Sequence, residues 1–413
     1  MLKFLYLANS RIPSEKANSL QIMQSCQAFQ RTGADVTLVV PHRVQPSMMR
    51  HVRDPFVFYD LRERFAIERL LCLDTLEVAP GPLQPAAFSL QAMTFALAAS
   101  FYLLFHRADL YYTRDPLTAA VLALAPAPIR SRAAFEAHTF PKRGPRRDLH
   151  LSTVRRLGRL VCITRGLAEA YMECGIKPEK ILVAPDAVDL ERFAALPEKI
   201  DARRGLGMPV DSRIVAYTGH LYDWKGAHTL ALASRFLPAE FLIYIVGGTA
   251  GDLAAFRHFL QAEGLDRVRA VGHVPPDQVP AYLAAADLLI LPNSARSETS
   301  ARFTSPMKLF EYMAAGRPIV ASRLPSLQEV LRDGENAVLA DPDDAVSLAR
   351  KIVDISGDEV LSGRIASTAR QEAQSHSWDA RASVILSFMK GAAPVTGNDQ
   401  SYRRYTENTD TSR

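Results

Sequence analysis

Lys308 and Glu311 stand three residues apart near the start of the run Ser305-Pro306-Met307-Lys308-Leu309-Phe310-Glu311-Tyr312-Met313-Ala314-Ala315-Gly316. On a helix that spacing puts both side chains on one face, with Leu309, Phe310 and Met313 covering the other as core. An ammonium in the first turn is unusual, because the free N–H groups there already carry positive character and favour an acidic neighbour. A bound phosphate would supply the missing negative charge, and the Glu311 carboxylate would accept hydrogen bonds from ribose hydroxyls. Ser305 is expected to cap the helix, Pro306 to occupy its first turn and Gly316 to end it, with Pro318-Ile319-Val320-Ala321 following as a short buried strand. An ordinary amphipathic helix with a solvated lysine and glutamate has the same local pattern, so other segments must decide.

One such segment is Gly219-His220-Leu221-Tyr222-Asp223-Trp224-Lys225-Gly226, which follows an apolar strand-like run and precedes a helical one. Its glycines permit tight turns, while His220 and Lys225 bring basic groups to a helix start, where a diphosphate is the natural guest. His138 is a third candidate, although a lone histidine is more often structural.

These residues need a framework, and 413 residues allow two domains of ordinary size. The formal charge of +5 is too mild to predict a particular partner, and no nucleic acid is expected. The distribution says more, since residues 130–165 hold ten Lys or Arg against Glu136 and Asp148. That block fits an anionic membrane surface, a phosphorylated acceptor or a solvated face. Cys26, Cys72, Cys162 and Cys174 are scattered, with neither metal-ligand nor disulfide spacing, which points to a reducing cytoplasm and to no bound metal. The apolar start reads as a first β-strand and not as a cleaved leader. Residues 86–105 approach a membrane span in length but include Ser89, Gln91, Thr94 and Ser100, so a buried or membrane-touching helix is expected there.

Strands over residues 3–8 and 35–40 flank a helix over 19–31 that Gly33 stops, a βαβ opening continued by strands at 109–113 and 160–164. After Leu196 a charged run with Pro and Gly, residues 197–211, reads as a linker. Strands at 214–218, 241–246, 268–271, 287–291 and 318–321 then alternate with helices. The expectation is an α/β protein with domains at 1–196 and 197–375, a terminal helix at 376–391 packing back on the first domain, and a disordered tail at 392–413. Two doubly wound, Rossmann-like domains facing a central cleft would bring ligands to the carboxyl ends of their strands.

With these segments in place the sequence resembles the retaining glycosyltransferases of family four, which have the two-domain GT-B fold. The resemblance rests on the turn at 219–226, on residues 271–276 and 284–292, and on residues 305–322 followed by Gly334-Glu335-Asn336-Ala337 and Asp341-Pro342-Asp343-Asp344. It extends to Glu136-Ala137-His138, to Ala184-Pro185-Asp186-Ala187-Val188-Asp189 and to Trp378, covering nearly the whole chain. It implies that Gly219, His220, Lys225, Ser305, Pro306, Met307, Lys308 and Glu311 bind a UDP- or GDP-linked sugar, which is a substrate and not a cofactor. It further implies that Lys225 stabilises the leaving diphosphate, that Glu311 holds the ribose, and that His138 approaches the transferred sugar.

Two positions depart from the family. His220 stands where many members have arginine, which predicts diphosphate binding that weakens as pH rises through the histidine range. Phe303 stands where the first glutamate of a pair is expected, with Glu298 or the backbone near Thr304 and Ser305 as substitutes. The N-terminal loop from Asn9 to Asn18 also replaces a double-glycine form, with Arg11, Ser14 and Lys16 offering donors. The reading is a hexosyltransferase with retention of configuration, acting on a saccharide or lipid-linked hydroxyl in polysaccharide or glycolipid assembly, cytoplasmic or peripheral on the inner membrane face. The rivals are a related phosphorylase or epimerase and a degenerate nucleotide-binding scaffold, the latter motivated by Phe303 and His220.

Overall fold

Short runs of Leu, Ile, Val and Ala separated by helical segments assemble into two parallel sheets, seen in a computed structural model that describes residues 1–46, 49–76, 79 and 81–391. The polar segment 392–413, expected to be disordered, lies outside the described residues. The chain divides into two units, the first comprising Met1–Pro185 with the chain from Trp378 onward, the second Asp186–Ser377.

The first unit holds β1 (Leu2–Leu7), β2 (Ala34–Pro41), β3 (Ala66–Leu70), β4 (Leu110–Thr113), β5 (Ala133–Ala137), β6 (Arg159–Cys162) and β7 (Ile181–Val183). Their order is β3-β2-β1-β4-β5-β6-β7, and every pairing is parallel. Central strands covered on both faces read as unbroken apolar runs, and β4 and β5 are buried throughout. Three strands of this sheet escaped the sequence reading. β3 and β7 are edge strands only partly covered, and Glu136 interrupts the apolar pattern of β5.

The second unit holds β8 (Arg213–Thr218), β9 (Phe241–Val246), β10 (Val268–Gly272), β11 (Leu288–Leu291), β12 (Ile319–Ser322) and β13 (Val338–Ala340), in the order β10-β9-β8-β11-β12-β13. Its strands feed two apolar layers by alternation: Leu289 and Leu291 face Leu309, Phe310 and Met313, while Leu288 and Ile290 face Leu348 and Ile352. Both sheets have the same winding, with β1 and β8 as the strands at which it reverses.

The boundary between the units differs from the expected one after Leu196. Residues 186–196 belong to the second unit because Val188 and Phe193 enter its core. The unit ends at Ser377, since the Val188 N–H donates to the His376 carbonyl at 2.9 Å and the His376 ring lies 5.0 Å from that of Phe310. The helix Trp378–Met389 belongs to the first unit and packs on the helix Ala17–Arg31.

That last helix is tied down by Arg381, which is 1% exposed and donates to the Glu136 carboxylate at 2.9 Å, to the Pro185 carbonyl at 2.7 Å and to the Ala184 carbonyl at 3.2 Å. Arg381→Ala leaves the Glu136 charge buried without its cation, and removing one partner of a buried pair costs about 3–5 kcal/mol. Urea unfolding of the first unit, read from Trp378 in a Trp224→Phe background, should show a loss of that size; a loss below about 1 kcal/mol would make the pair dispensable.

Candidate active site

In an open α/β sheet ligands bind beyond the carboxyl ends of the strands where the winding reverses. In the second unit that place is the end of β8 beside β11. β8 finishes at Thr218, whose N–H and hydroxyl meet the Tyr312 hydroxyl at 2.7 and 3.2 Å. The preceding Tyr217 donates its hydroxyl to the His220 carbonyl at 2.6 Å, which fixes the turn after the strand. Gly226 has φ 75°, and a Cβ there would lie 1.7 Å from the Pro292 carbonyl oxygen just past β11. Only glycine allows residues 219–226 to press so closely against the chain leaving β11.

Two lysines converge on this turn. A Cβ on Gly219 would lie 3.5 Å from the Lys308 ammonium, so the two basic segments singled out in the sequence are brought together. Lys308 is 7% exposed, its Nζ is 3.6 Å from the Tyr217 ring centre, and it has no hydrogen-bond partner among the described residues. Burial pushes its pKa well below the ordinary lysine value, the charge of Lys225 adds to the shift, and Glu311 opposes it. The Lys225 Nζ stacks 4.1 Å from the Trp224 ring; burial lowers its pKa to about 8, with Asp186 opposing. Two ammonium groups poorly hydrated and near one another are costly alone, and an anion of two or more charges relieves both.

Glu311 follows Lys308 on the helix Met307–Ala315 and is partly buried. Burial raises its pKa, while Arg192 and Lys308 counteract the rise. His220 stacks on Tyr222 with ring centres 5.0 Å apart. Pro306, not Ser305, is the residue that caps the helix, and no side chain closes its first turn. The Ser305 hydroxyl instead accepts from the Asp186 N–H at 3.0 Å, so it serves tertiary structure, and Gly316 ends the helix at φ 63° as expected. Phe303 is buried, and the proposed substitute Glu298 is 70% exposed and 3.9 Å from Arg302. In the N-terminal loop Arg11 pairs with Glu15 at 2.8 Å and the Ser14 N–H donates to the Tyr59 hydroxyl at 2.6 Å, which uses these groups within the first unit.

In the first unit His138 follows β5. Its Nε2 lies 2.5 Å from Glu136 Oε1, which also accepts from Gln21 Nε2 at 2.9 Å; the other oxygen, Oε2, accepts from Tyr112 and Arg381. Burial alone would raise the Glu136 pKa, but Arg381, then His138 and Arg114, outweigh it and hold the carboxyl well below its ordinary range. An ionised Glu136 fixes the Nε2–H tautomer and the orientation of the imidazole.

Sequence reasoning missed Arg381, Tyr112 and Gln21, all far from Glu136 along the chain. It also missed Asn293, which directly follows Pro292 at the end of β11. Asn293 is fully buried, and neither atom of its amide has a partner among the described residues. An unpaired buried amide beside the lysine cluster marks a further polar group for a ligand.

Comparison with known proteins agrees with the two-sheet fold. A model described as "Glycosyltransferase Family 4" matches residues 21–192, and one described as "Glycosyl transferases group 1" matches residues 212–358. The chain is 30% identical over 239 residues to a D-inositol 3-phosphate glycosyltransferase of Xylanimonas cellulosilytica, covering 55% of each chain. It is 29% identical over 276 residues to that of Acidothermus cellulolyticus, covering 63% of this chain and 59% of the relative. The chain thus spans about half the length of the curated relatives it matches. In fold it is similar to HepE of Anabaena, solved with UDP, at TM-score 0.71 and 19% identity over 94% of this chain and 100% of the other. It is similar also to sucrose-phosphate synthase of Thermosynechococcus elongatus, at 0.74 and 20% over 95% and 99%.

The Lys225 shift has two consequences of opposite sign. The folded protein releases this proton near pH 8 while the unfolded chain keeps it to about 10.5, so the contribution of Lys225 to stability rises with pH across that window. Affinity for an anion that needs the ammonium falls over the same range. Calorimetric titration with UDP should give affinity that declines by up to about tenfold per pH unit above pH 8, and Lys225→Arg should flatten that decline. Equal profiles in the two proteins would remove Lys225 from the anion site.

Proposed function

The chain belongs to the family-four glycosyltransferases of GT-B fold, and from that membership we propose that it transfers a hexose from a nucleotide diphosphate sugar to a hydroxyl acceptor with retention of configuration. The observation that carries the donor assignment is the meeting of two poorly hydrated lysines, Lys225 in the turn after β8 and Lys308 on the helix that also bears Glu311, with the Lys308 ammonium against Gly219 of that turn. In this reading Lys225 and Lys308 meet the diphosphate, with Gly219 and His220 shaping the turn around it. Ser305, Pro306 and Met307 present the uncapped helix start, and Glu311 accepts from the ribose hydroxyls. HepE, solved with UDP and glucose, supports a nucleotide-sugar guest, and a UDP- or GDP-linked donor is proposed here.

The reaction breaks the bond between the anomeric carbon and the diphosphate oxygen and forms one from that carbon to the acceptor oxygen on the same face. The acceptor proton passes to the leaving phosphate. Fixed ammonium groups stabilise the charge that builds on that phosphate, and His138, held in one tautomer by Glu136, attends the transferred sugar. The acceptor is proposed to be a saccharide or lipid-linked hydroxyl, in polysaccharide or glycolipid assembly at the inner face of a membrane.

Thermal unfolding with UDP, GDP, ADP and their sugar conjugates tests the donor site. A ligand at a hundred times its dissociation constant should stabilise by about 2.7 kcal/mol, in one nucleotide series only, and Glu311→Ala should abolish the shift. Stabilisation by no nucleotide would overturn the reading. The anomeric configuration of the product, followed by proton NMR, decides retention.

A further inference from the structure

The helix Gln84–Phe105 has 22 residues and not one charged side chain. By length and composition it could cross a membrane, yet one face is folded into the first unit. Phe95, Ala99 and Leu103 are core, and Gln91 Nε2 donates to Asn9 Oδ1 at 2.9 Å. The other face is open: Leu90, Met93, Leu97, Phe101, Leu104 and Phe105 are exposed, Leu97 at 73% and Phe101 at 64%. At about 100° per residue these six fall on one stripe, and a helix of this length runs about 33 Å.

Water-facing helices carry charges, and an apolar stripe of this length on a soluble surface marks an interaction site. Its neighbours indicate the partner. The helix Pro116–Leu124 packs alongside, is also uncharged, and exposes Leu117 and Leu124. Beyond it the helix Pro145–Arg156 exposes Arg146 and Arg156 on the same side as Leu149, with Asp148 also exposed, while Arg155 donates to the Cys174 carbonyl at 2.7 Å. Apolar side chains bordered by arginines match the acyl and headgroup layers of an anionic bilayer. A two-fold dimer through the same stripe would instead bring the basic helices of both copies into one interface.

We propose that the outer face of the helix Gln84–Phe105 inserts into an anionic lipid bilayer, the helix lying in the plane of the interface with the arginines of the helix Pro145–Arg156 against the headgroups. This rests on the membrane part of the proposed function and deepens it by naming the surface; it does not depend on the donor chemistry.

Flotation of the full chain with vesicles of phosphatidylcholine and phosphatidylglycerol, and of phosphatidylcholine alone, tests the assignment. The parent should bind the mixed vesicles. Leu97→Glu with Phe101→Glu should weaken binding by at least about tenfold at all salt concentrations. Arg146→Ala with Arg156→Ala should weaken it at low salt and converge on the parent at high salt. Phe101→Trp should be quenched by bromines placed shallow in the acyl chains, in keeping with an in-plane helix. An unchanged nucleotide-induced thermal shift shows that the variants fold; vesicle binding without any such shift in the parent would sink the donor reading alone. The proposal is overturned if the parent ignores anionic vesicles at low salt, if the apolar variant binds as the parent does, or if the parent is a dimer that this variant dissociates.

Discussion

A carboxylate with no access to water has to find its whole solvation shell inside the protein, and Glu136 sets that demand at the end of a central strand. Isolated, it would protonate or unfold its surroundings. Four side chains answer it: Tyr112 from β4, Gln21 from the first helix, His138 from the loop after β5, and Arg381 from the last helix. The remaining hydrogen bonds of Arg381 go to Ala184 and Pro185, where the chain leaves the first unit. One ion pair therefore explains why the chain comes back after building the second unit. Without Arg381, the exit from β7 and the loop bearing His138 both lose a fixed neighbour.

The second unit solves a different electrostatic problem with the same winding. Around Glu136 positive and negative groups are matched, whereas the turn after β8 holds an excess of cations, Lys225 and Lys308, answered only partly by Asp186 and Glu311. The first arrangement is complete as it stands and rigidifies a strand end. The second is left short of negative charge, which is the condition of a site made for an anionic guest. Gly226 holds the turn against the Pro292 carbonyl, and Lys308 meets the same turn at Gly219.

What the sequence disclosed was local. Lys308 and Glu311 are legible because helical spacing alone puts them on a face, and Gly219 to Gly226 because glycine punctuates a strand-to-helix turn. The buried strands β8, β9, β11 and β12 declare themselves as apolar runs, while the half-covered β3 and β7 and the three-residue β13 do not. Ser305 was misassigned as a cap because its competitor for the hydroxyl, the Asp186 N–H, is 119 residues away. Arg381 and Glu136 are 245 residues apart, and nothing local distinguishes that arginine from a solvated one. The uncharged helix at 84–105 was visible as a composition, but which of its faces the fold covers depends on Asn9 and the sheet.

The surroundings of Phe303 show why no nearby carboxylate takes its place. Its ring is 3% exposed within the π-helical turn Thr299–Phe303, beside Ser300, whose carbonyl accepts from the Ser326 hydroxyl at 2.7 Å. The turn is anchored at Ser300, whose hydroxyl also donates to the Trp224 carbonyl at 3.3 Å, and Glu298, turned to solvent at its start, cannot move to position 303 without unwinding it. A carboxylate at position 303 is therefore not restored by a small shift. Asn293, at the end of β11, is buried with an amide that has no partner among the described residues. An amide offers both a donor and an acceptor where a carboxylate offers only acceptors. Exchanging one for the other changes the hydrogen-bonding pattern that this part of the unit presents.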